Sequence, residues 1–486
     1  MNIRLPQPLR FTVGGQTTIP IEAKSLPELT KAIAATYPEL AARVLDGDGF
    51  GPFVTVFVDG EDVRFLEANA DLTTAKTIEI LPAMSGGATT AAGILMQAAR
   101  EIHGSFIDET IGIVARAHPD TVSFAVGGPA NKALEMARTE ELAADVLSRD
   151  GMVPLGYGVT EGDDDLREIV AEHARVRGIE VQAASVIVTA GGLQAVDIAV
   201  RLFINPGDLA VVESPGFANA LSALRNQGAR ILEVPVDADG LDVERAAQLL
   251  KERGERPKLF FVVPNFQNPS GVTLSLKRRH ALLALARSYG AVILEDDPYR
   301  ELRYRGAELD PLAALADDGV VNIGTFSKTL LPGLRVGWAI ADPQVIAGMS
   351  RAKQTMDSNT GMFSQRLVVA FHRRGGVAEH LDALRALYSE KQARTRAALA
   401  REFNGTGVTW NDPEGGFYFW MTLPQGMSAR RLLDVALEER VAFVPGDAFS
   451  ITTDLTNTFR LSYSSPTPDR IDEGVARLRR AFDRIR

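Results

Sequence analysis

The sequence predicts an α/β protein with a mainly parallel sheet covered by helices, preceded by a small unit of four strands and one helix. Three observations carry this. From about residue 94 onward, short β-branched apolar runs alternate with segments of helical periodicity, as expected of parallel strands joined by helices. Residues 1–87 have a shorter alternation of their own. Between the two lies an Ala/Thr/Gly stretch, 88–93, whose composition differs from both neighbours and reads as a linker. At 486 residues the chain exceeds what one hydrophobic core supports.

In the first unit, residues 9–13 and 18–22 read as short extended runs separated by Gly14-Gly15, a hairpin signal. Ser25 followed by Glu28 reads as a capping box. The helix after it spaces Leu26, Leu29, Ile33, Leu40 and Val44 helically. Residues 53–58 and 77–81 are two more strands. The order strand, strand, helix, strand, strand fits a ubiquitin-like β-grasp domain. In the second part, 186–189, 209–213, 231–235, 259–263, 292–295 and 320–325 read as strands. The last hundred or so residues read as α+β, with a long helix over 378–403.

Composition narrows the function. Hydrophobic residues are 45% and charged residues 23%, an ordinary soluble mix, and the formal net charge is −10. That sign argues against nucleic acid or an anionic membrane as the main partner. With no cysteine there is no disulfide, no thiolate-ligated metal and no persulfide relay. The six histidines show no metal-ligand spacing, so no metal is expected. No secretory signal and no membrane-spanning run is evident, and a cytoplasmic location is expected.

Four segments carry chemistry, each at a strand exit, where α/β sheets place their ligands. The first is S-K-x-x-x-P-G-x-R-x-G-W over 327–338, preceded by Thr325. A lysine that attacks an aldehyde must lose its proton, and burial among cations lowers its pKa; Thr325, Ser327 and Arg335 can donate to a phosphate dianion. The second is Asn268-Pro269-Ser270-Gly271, a turn that points an amide into the site. The third is Glu295-Asp296-Asp297-Pro298-Tyr299. A pyridine nitrogen needs a carboxylate to stay protonated, and Asp296 fits that role; Tyr299 and Asn268 can hydrogen-bond a ring phenolic oxygen. The fourth is Gly191-Gly192-Leu193 at a strand-to-helix turn, where backbone N–H groups make an anion site.

Together these segments resemble the fold-type I, pyridoxal-5′-phosphate-dependent aminotransferases, in the branch of 2-aminoadipate and broad-specificity enzymes, over roughly residues 95–486. Segments 155–162, 415–418, 444–446 and 459–461 also match. The resemblance implies an aminotransferase moving an amino group between an L-α-amino acid and a 2-oxo acid on pyridoxal 5′-phosphate. It implies that Lys328 forms the Schiff base and shuttles a proton, that Asp296 pairs with the ring nitrogen, and that Asn268 and Tyr299 hold the phenolic oxygen. Phe217 would stack on the ring. Gly192, Leu193, Thr325, Ser327 and Arg335 would hold the phosphate, joined by Tyr157 from a neighbouring subunit, which implies a homodimer. Arg460 would clamp the substrate α-carboxylate as a bidentate fork, with Gly127 close by. The chain departs from many members in having Gly192 for serine, Leu193 for glutamine and Phe217 for tyrosine.

Residues 1–87 resemble the small sulfur carriers of the molybdopterin-synthase and thiazole type, on segments 53–65 and 78–87 ending in Gly86-Gly87. In that family the terminal glycine carries a thiocarboxylate; here Ala88 follows, so a processing or sulfur-transfer enzyme would be needed, and a β-grasp domain kept only for docking or dimer stability is the other open reading. The implied division is 1–87 carrier-like domain, 88–104 linker and start of an arm, 105–370 arm and large domain, 371–486 small domain. Two alternatives stay open. One is β- or γ-replacement or elimination with sulfur from the fused carrier. The other is a non-catalytic cofactor-binding regulator, against which stand the 7 basic and 11 acidic side chains of residues 1–87.

Overall fold

The computed structural model describes residues 1–47, 49–51, 54–63, 66, 70–82, 104, 112 and 118–486. Gly86-Gly87 and nearly all of the linker and arm segments, 88–117, lie outside the described residues. The chain divides into two compact units, Met1–Ile102 and His103–Arg486.

The first unit is a five-stranded sheet packed by helix. Strands β1 (Asn2–Arg4), β2 (Thr18–Pro20), β3 (Val54–Val58), β4 (Glu61–Asp62) and β5 (Thr77–Pro82) lie in the order β2-β1-β5-β3-β4. β1 runs parallel to β5, with Ile3 opposite Ile78, and antiparallel to β2, with Ile3 opposite Ile19. Alternation puts Ile78 and Ile80 inside with Ile3, Ile19 and Val56. Helix α1 (Leu26–Thr36) buries Leu29 and Ile33 against them, each stabilising by roughly 2 kcal/mol. Half of the capping box forms: Ser25 Oγ accepts from Glu28 N at 3.4 Å, while the Glu28 carboxylate reaches past the N-cap to accept from Lys24 N at 2.9 Å.

Two expectations are corrected here. Residues 9–13 are not a strand: Gln7–Val13 is a 3₁₀ helix, and the hairpin partner of β2 is Asn2–Arg4. Pro6 precedes that helix as its N-cap and Pro8 sits in its first turn, where a fixed φ suits the helix and the missing N–H is not needed. The single long helix is two, because Pro38 ends α1 at Tyr37 and starts α2 (Pro38–Val44), which buries Leu40 and Val44.

The second unit is built on an eight-stranded sheet. Its strands are β6 (Val186–Thr189), β7 (Leu209–Ser214), β8 (Arg230–Asp237), β9 (Pro257–Val262), β10 (Val292–Asp296), β11 (Val320–Thr325) and β12 (Gly337–Ile340), with Gly240–Leu241 on the edge beside β8. The order is β8-β7-β9-β10-β11-β12-β6. β7 to β11 are parallel; β12 is antiparallel to both β11 and β6. The sequence pattern hid β12, because its residues are the Gly337 and Trp338 of the lysine motif. All six residues of β7 are buried, as strands covered on both faces must be.

Toward the C-terminus, α4 (Val377–Phe403) and α5 (Pro468–Ile485) flank an antiparallel sheet of β13 (Thr409–Trp410), β14 (Tyr418–Thr422), β15 (Val444–Pro445) and β16 (Thr458–Ser462) in the order β13-β14-β16-β15. Its core includes Phe403, Phe419, Phe443, Phe459, Leu461, Val475 and Phe482. This second sheet supplies Tyr418 and Arg460, which sit on the two neighbouring strands β14 and β16.

Candidate active site

The C-terminal ends of β6, β10 and β11 open into a cleft of about 380 Å³. Lys328, Asp296, Tyr299, Asn268, Gly192, Leu193, Phe217, Thr325, Ser327, Arg335, Arg460 and Gly127 all line it. A smaller cavity of about 70 Å³ shares Pro298 and Thr325 with it but contains neither Lys328 nor Arg460. Of the residues singled out from sequence, only Tyr157 is elsewhere: it is 96% exposed and does not line the cleft.

Three consecutive acids at the end of β10 go to three places. Glu295 turns away and accepts from Leu312 N, Ala313 N and Asn322 Nδ2. Asp297 accepts from Asn265 Nδ2 at 2.9 Å. Asp296, buried between them, finds no hydrogen-bond donor among the described residues and faces the cleft. Burial, reinforced by the charge of Asp297 and opposed by Lys328, pushes its carboxyl up to about 7.

Lys328 follows β11 and donates from Nζ to Gly127 O at 2.9 Å. Burial, with Arg460 and Arg335 nearby, lowers its pKa to about 8, the direction a nucleophilic amine requires. The flanking hydroxyls are preset. Ser327 N donates to Thr325 Oγ1 at 3.1 Å, and the two hydroxyl oxygens lie 2.9 Å apart. Arg335 takes a left-handed backbone, φ 52°, and donates to Ser327 Oγ at 3.4 Å and Ala190 O at 3.3 Å. Facing it is the N-terminus of α3 (Gly192–Phe203), capped by Gly191 at φ 83°. A Cβ at Gly191 would collide with the Arg335 guanidinium. The amides of Gly192 and Leu193 have no backbone acceptor among the described residues and sit at the positive end of the helix. A Cβ at Gly192 would meet Gly324 O, Ile323 Cγ2 and Thr325 Cβ at an ordinary 3.7 Å, so a serine fits there and its absence is not steric.

Asn268 is aimed by its own turn. Gln267 donates to Pro215 O at 2.6 Å and accepts from Ser270 N at 2.7 Å; buried Arg279 donates to Pro264 O at 3.1 Å and Asn265 Oδ1 at 2.8 Å. Gly271, at φ 70°, lets the chain pass Tyr418 O. Asn268 Oδ1 then accepts from Arg460 Nη1 at 2.8 Å. Arg460 is 1% exposed, donates from Nη2 to Ala125 O at 2.6 Å, and lies over Tyr418 with its guanidinium carbon 4.6 Å from the ring centroid. Among the described residues no carboxylate pairs with it, and its Nε has no partner. A buried cation without a counter-charge is costly, and an incoming carboxylate relieves it.

This donor set suits pyridoxal 5′-phosphate: a lone buried carboxylate for a pyridinium, a desolvated lysine for an aldehyde, and hydroxyls, an arginine and free amides for a phosphate. Residues 119–478 match the family "Aminotransferase class I and II". The chain belongs to that family. This aminotransferase is 40% identical, over 79% of its length and 95% of the relative's, to a 2-aminoadipate transaminase of Thermus thermophilus. It is 38% identical to aromatic-amino-acid aminotransferase 1 of Thermococcus litoralis, over 74% of this chain and 87% of that one. The crystal structure of the Thermus thermophilus α-aminoadipate aminotransferase, complexed with N-(5′-phosphopyridoxyl)-L-leucine, is 38% identical with a TM-score of 0.75, covering 82% of this chain and 99% of that one. Residues 3–87 match the ThiS family. The protein is therefore a pyridoxal-phosphate-dependent aminotransferase of fold type I with a β-grasp ThiS-family domain at its N-terminus.

Among the lining residues that sequence reasoning left without a role, one makes a side-chain hydrogen bond to a predicted site residue. Tyr418 was visible only as the end of the Gly-Gly-Phe-Tyr segment, yet its hydroxyl lies 2.9 Å from that of Tyr299. The signal was a glycine pair before a strand, which permits close approach but names no contact.

Proposed function

We propose that this aminotransferase moves the amino group of an L-α-amino acid to a 2-oxo acid with Lys328 as the proton carrier and Arg460 as the α-carboxylate clamp. The observation that carries this is Arg460: a buried guanidinium with no carboxylate partner among the described residues, in the same cleft as Lys328. Its fork suits a bidentate carboxylate and fixes where the substrate α-carbon sits. Lys328, in the same cleft as Arg460, would take and return the α-carbon proton of the bound substrate. The cofactor would supply an electron sink there. Asp296 would keep that sink charged, Tyr299 and Asn268 would hold its phenolic oxygen, Phe217 would stack on its ring, and Thr325, Ser327, Arg335 and the amides of Gly192 and Leu193 would hold its phosphate.

The first substrates to test are aromatic amino acids and 2-aminoadipate, after the names of two relatives. A homodimer with Tyr157 completing the partner's site belongs to the same reading. Its support is an exposed apolar stretch, with Met152 76%, Val153 66%, Leu155 56% and Val159 57% exposed. The reading also carries a cytoplasmic location, and a processing or sulfur-transfer partner for residues 1–87.

The test is the visible spectrum of purified protein, with Lys328→Ala in parallel. A lysine-dependent band that bleaches with particular L-amino acids and returns with a 2-oxo acid is expected. A band that no amino acid changes reversibly would sink the transamination reading; replacement chemistry would then be assayed, with mass spectrometry for cleavage after Gly87.

A further inference from the structure

Tyr418 and Tyr299 come from different sheets and meet inside the cleft. Tyr299 follows β10 and Tyr418 opens β14; they are 2% and 1% exposed, with ring centroids 5.7 Å apart in an edge-on arrangement. Their hydroxyl oxygens lie 2.9 Å apart. The Tyr418 hydroxyl has no other hydrogen-bond partner among the described residues, and it packs so close to Gly127 that a Cβ there would collide with it.

Two phenols carry two protons, and one hydrogen bond uses one of them. A buried hydroxyl proton needs an acceptor. If Tyr299 donated to Tyr418, the Tyr418 proton would turn toward the Gly127 backbone it packs against, whose carbonyl already accepts from Lys328 Nζ and makes no hydrogen bond with Tyr418 among the described residues. If Tyr418 donates to Tyr299, the Tyr299 proton is free for an acceptor in the cleft. The Arg460 guanidinium over the Tyr418 ring withdraws density from it and favours its hydroxyl as donor.

We propose that Tyr418 is a positioning residue: its hydroxyl donates to Tyr299 and so turns the Tyr299 proton toward the phenolic oxygen of the cofactor, strengthening that hydrogen bond. The inference rests on the reading that Tyr299 faces that oxygen. A phenol that accepts one hydrogen bond donates a stronger one, as chains of hydrogen bonds do. A donor to the phenolic oxygen competes with the imine proton for it, so the imine holds its proton less tightly while the chain is intact.

The experiment is a pH titration of the lysine-dependent visible band in the holoenzyme, in wild type, Tyr418→Phe, Tyr299→Phe and the double variant. No turnover is involved, and Tyr418→Phe keeps the ring beneath Arg460. Loss of the Tyr418 hydroxyl is expected to raise the midpoint by roughly half a pH unit, and loss of the Tyr299 hydroxyl by about one or more. The double variant should titrate like Tyr299→Phe, because Tyr418 acts through it. An unmoved midpoint in Tyr418→Phe, or additive shifts in the double variant, overturns the proposal while leaving Tyr299 in place. An unmoved midpoint in Tyr299→Phe overturns the placement of Tyr299 itself, and this inference with it.

Discussion

Arg460 Nη1 donates to Asn268 Oδ1 over 2.8 Å between two buried side chains, which ties the arginine of β16 to the turn after β9. That bond fixes which end of the Asn268 amide is the oxygen, and leaves its Nδ2 with two N–H groups to offer. One bond thus sets both the arginine fork and the polarity that the asparagine presents.

Arg460→Lys keeps the charge and loses the fork. The expected result is a rise in KM for amino acid substrates of about 10- to 100-fold, from losing one or two charge-assisted hydrogen bonds of roughly 1.5–3 kcal/mol. The visible band should persist. Steady-state kinetics beside the spectrum checks this; an unchanged KM would remove Arg460 from the carboxylate site.

Asp296→Asn should act in opposite directions with and without cofactor. Burial raises the folded-state pKa of Asp296 to about 7, above its ordinary value of 3.8. The stability this group contributes is full below pH 3.8 and is lost as pH rises to about 7. Cofactor-free Asp296→Asn should therefore be more stable than wild type at pH 8, by an order of 2–4 kcal/mol, and similar to it near pH 4. The loaded variant should hold cofactor more weakly. Melting temperatures at the two pH values, with and without cofactor, test both signs.

Gly191→Ala should release the phosphate. Its Cβ would drive into the Arg335 guanidinium, and φ of 83° disfavours any side chain. Cofactor affinity is expected to fall at least tenfold, about 1.4 kcal/mol, measured by equilibrium dialysis. The control is Gly192→Ser, which the 3.7 Å contacts accommodate and which should bind at least as tightly.

Cofactor capture by the empty enzyme should follow the Lys328 amine. Burial and the Arg460 and Arg335 charges lower its pKa from 10.5 to about 8, so the rate of band formation should rise with pH and level off above about 8. Arg460→Ala removes one of those charges and should move the midpoint upward. A midpoint near 10 in the wild type would mean that the amine is not desolvated.

The sequence by itself determined the local chemistry and the fold class. The spacing from Ser327 to Trp338 names the lysine, its hydroxyls and its arginine, because a strand exit, a turn and a glycine are encoded within a few residues of one another. Apolar β-branched runs located six strands of the large sheet, because strands buried on both faces leave no other pattern. It also marked Ser25 as the cap of α1. What needs long-range contact was not legible. β12 is a short apolar run, Gly337-Trp338-Ala339-Ile340, inside the lysine motif, and its place as an antiparallel strand comes from lying between β11 and β6. Residues 9–13 alternate plausibly, but the pairing went to Asn2–Arg4, since register depends on the partner strand. The sequence singled out Asp296 among three adjacent acids; where the other two go was decided by the strand pleat, with donors at Asn265 for Asp297 and at Leu312, Ala313 and Asn322 for Glu295. Tyr418 meets Tyr299 across 119 positions of chain. Such a meeting is a product of two sheets packing together, and no local pattern records it.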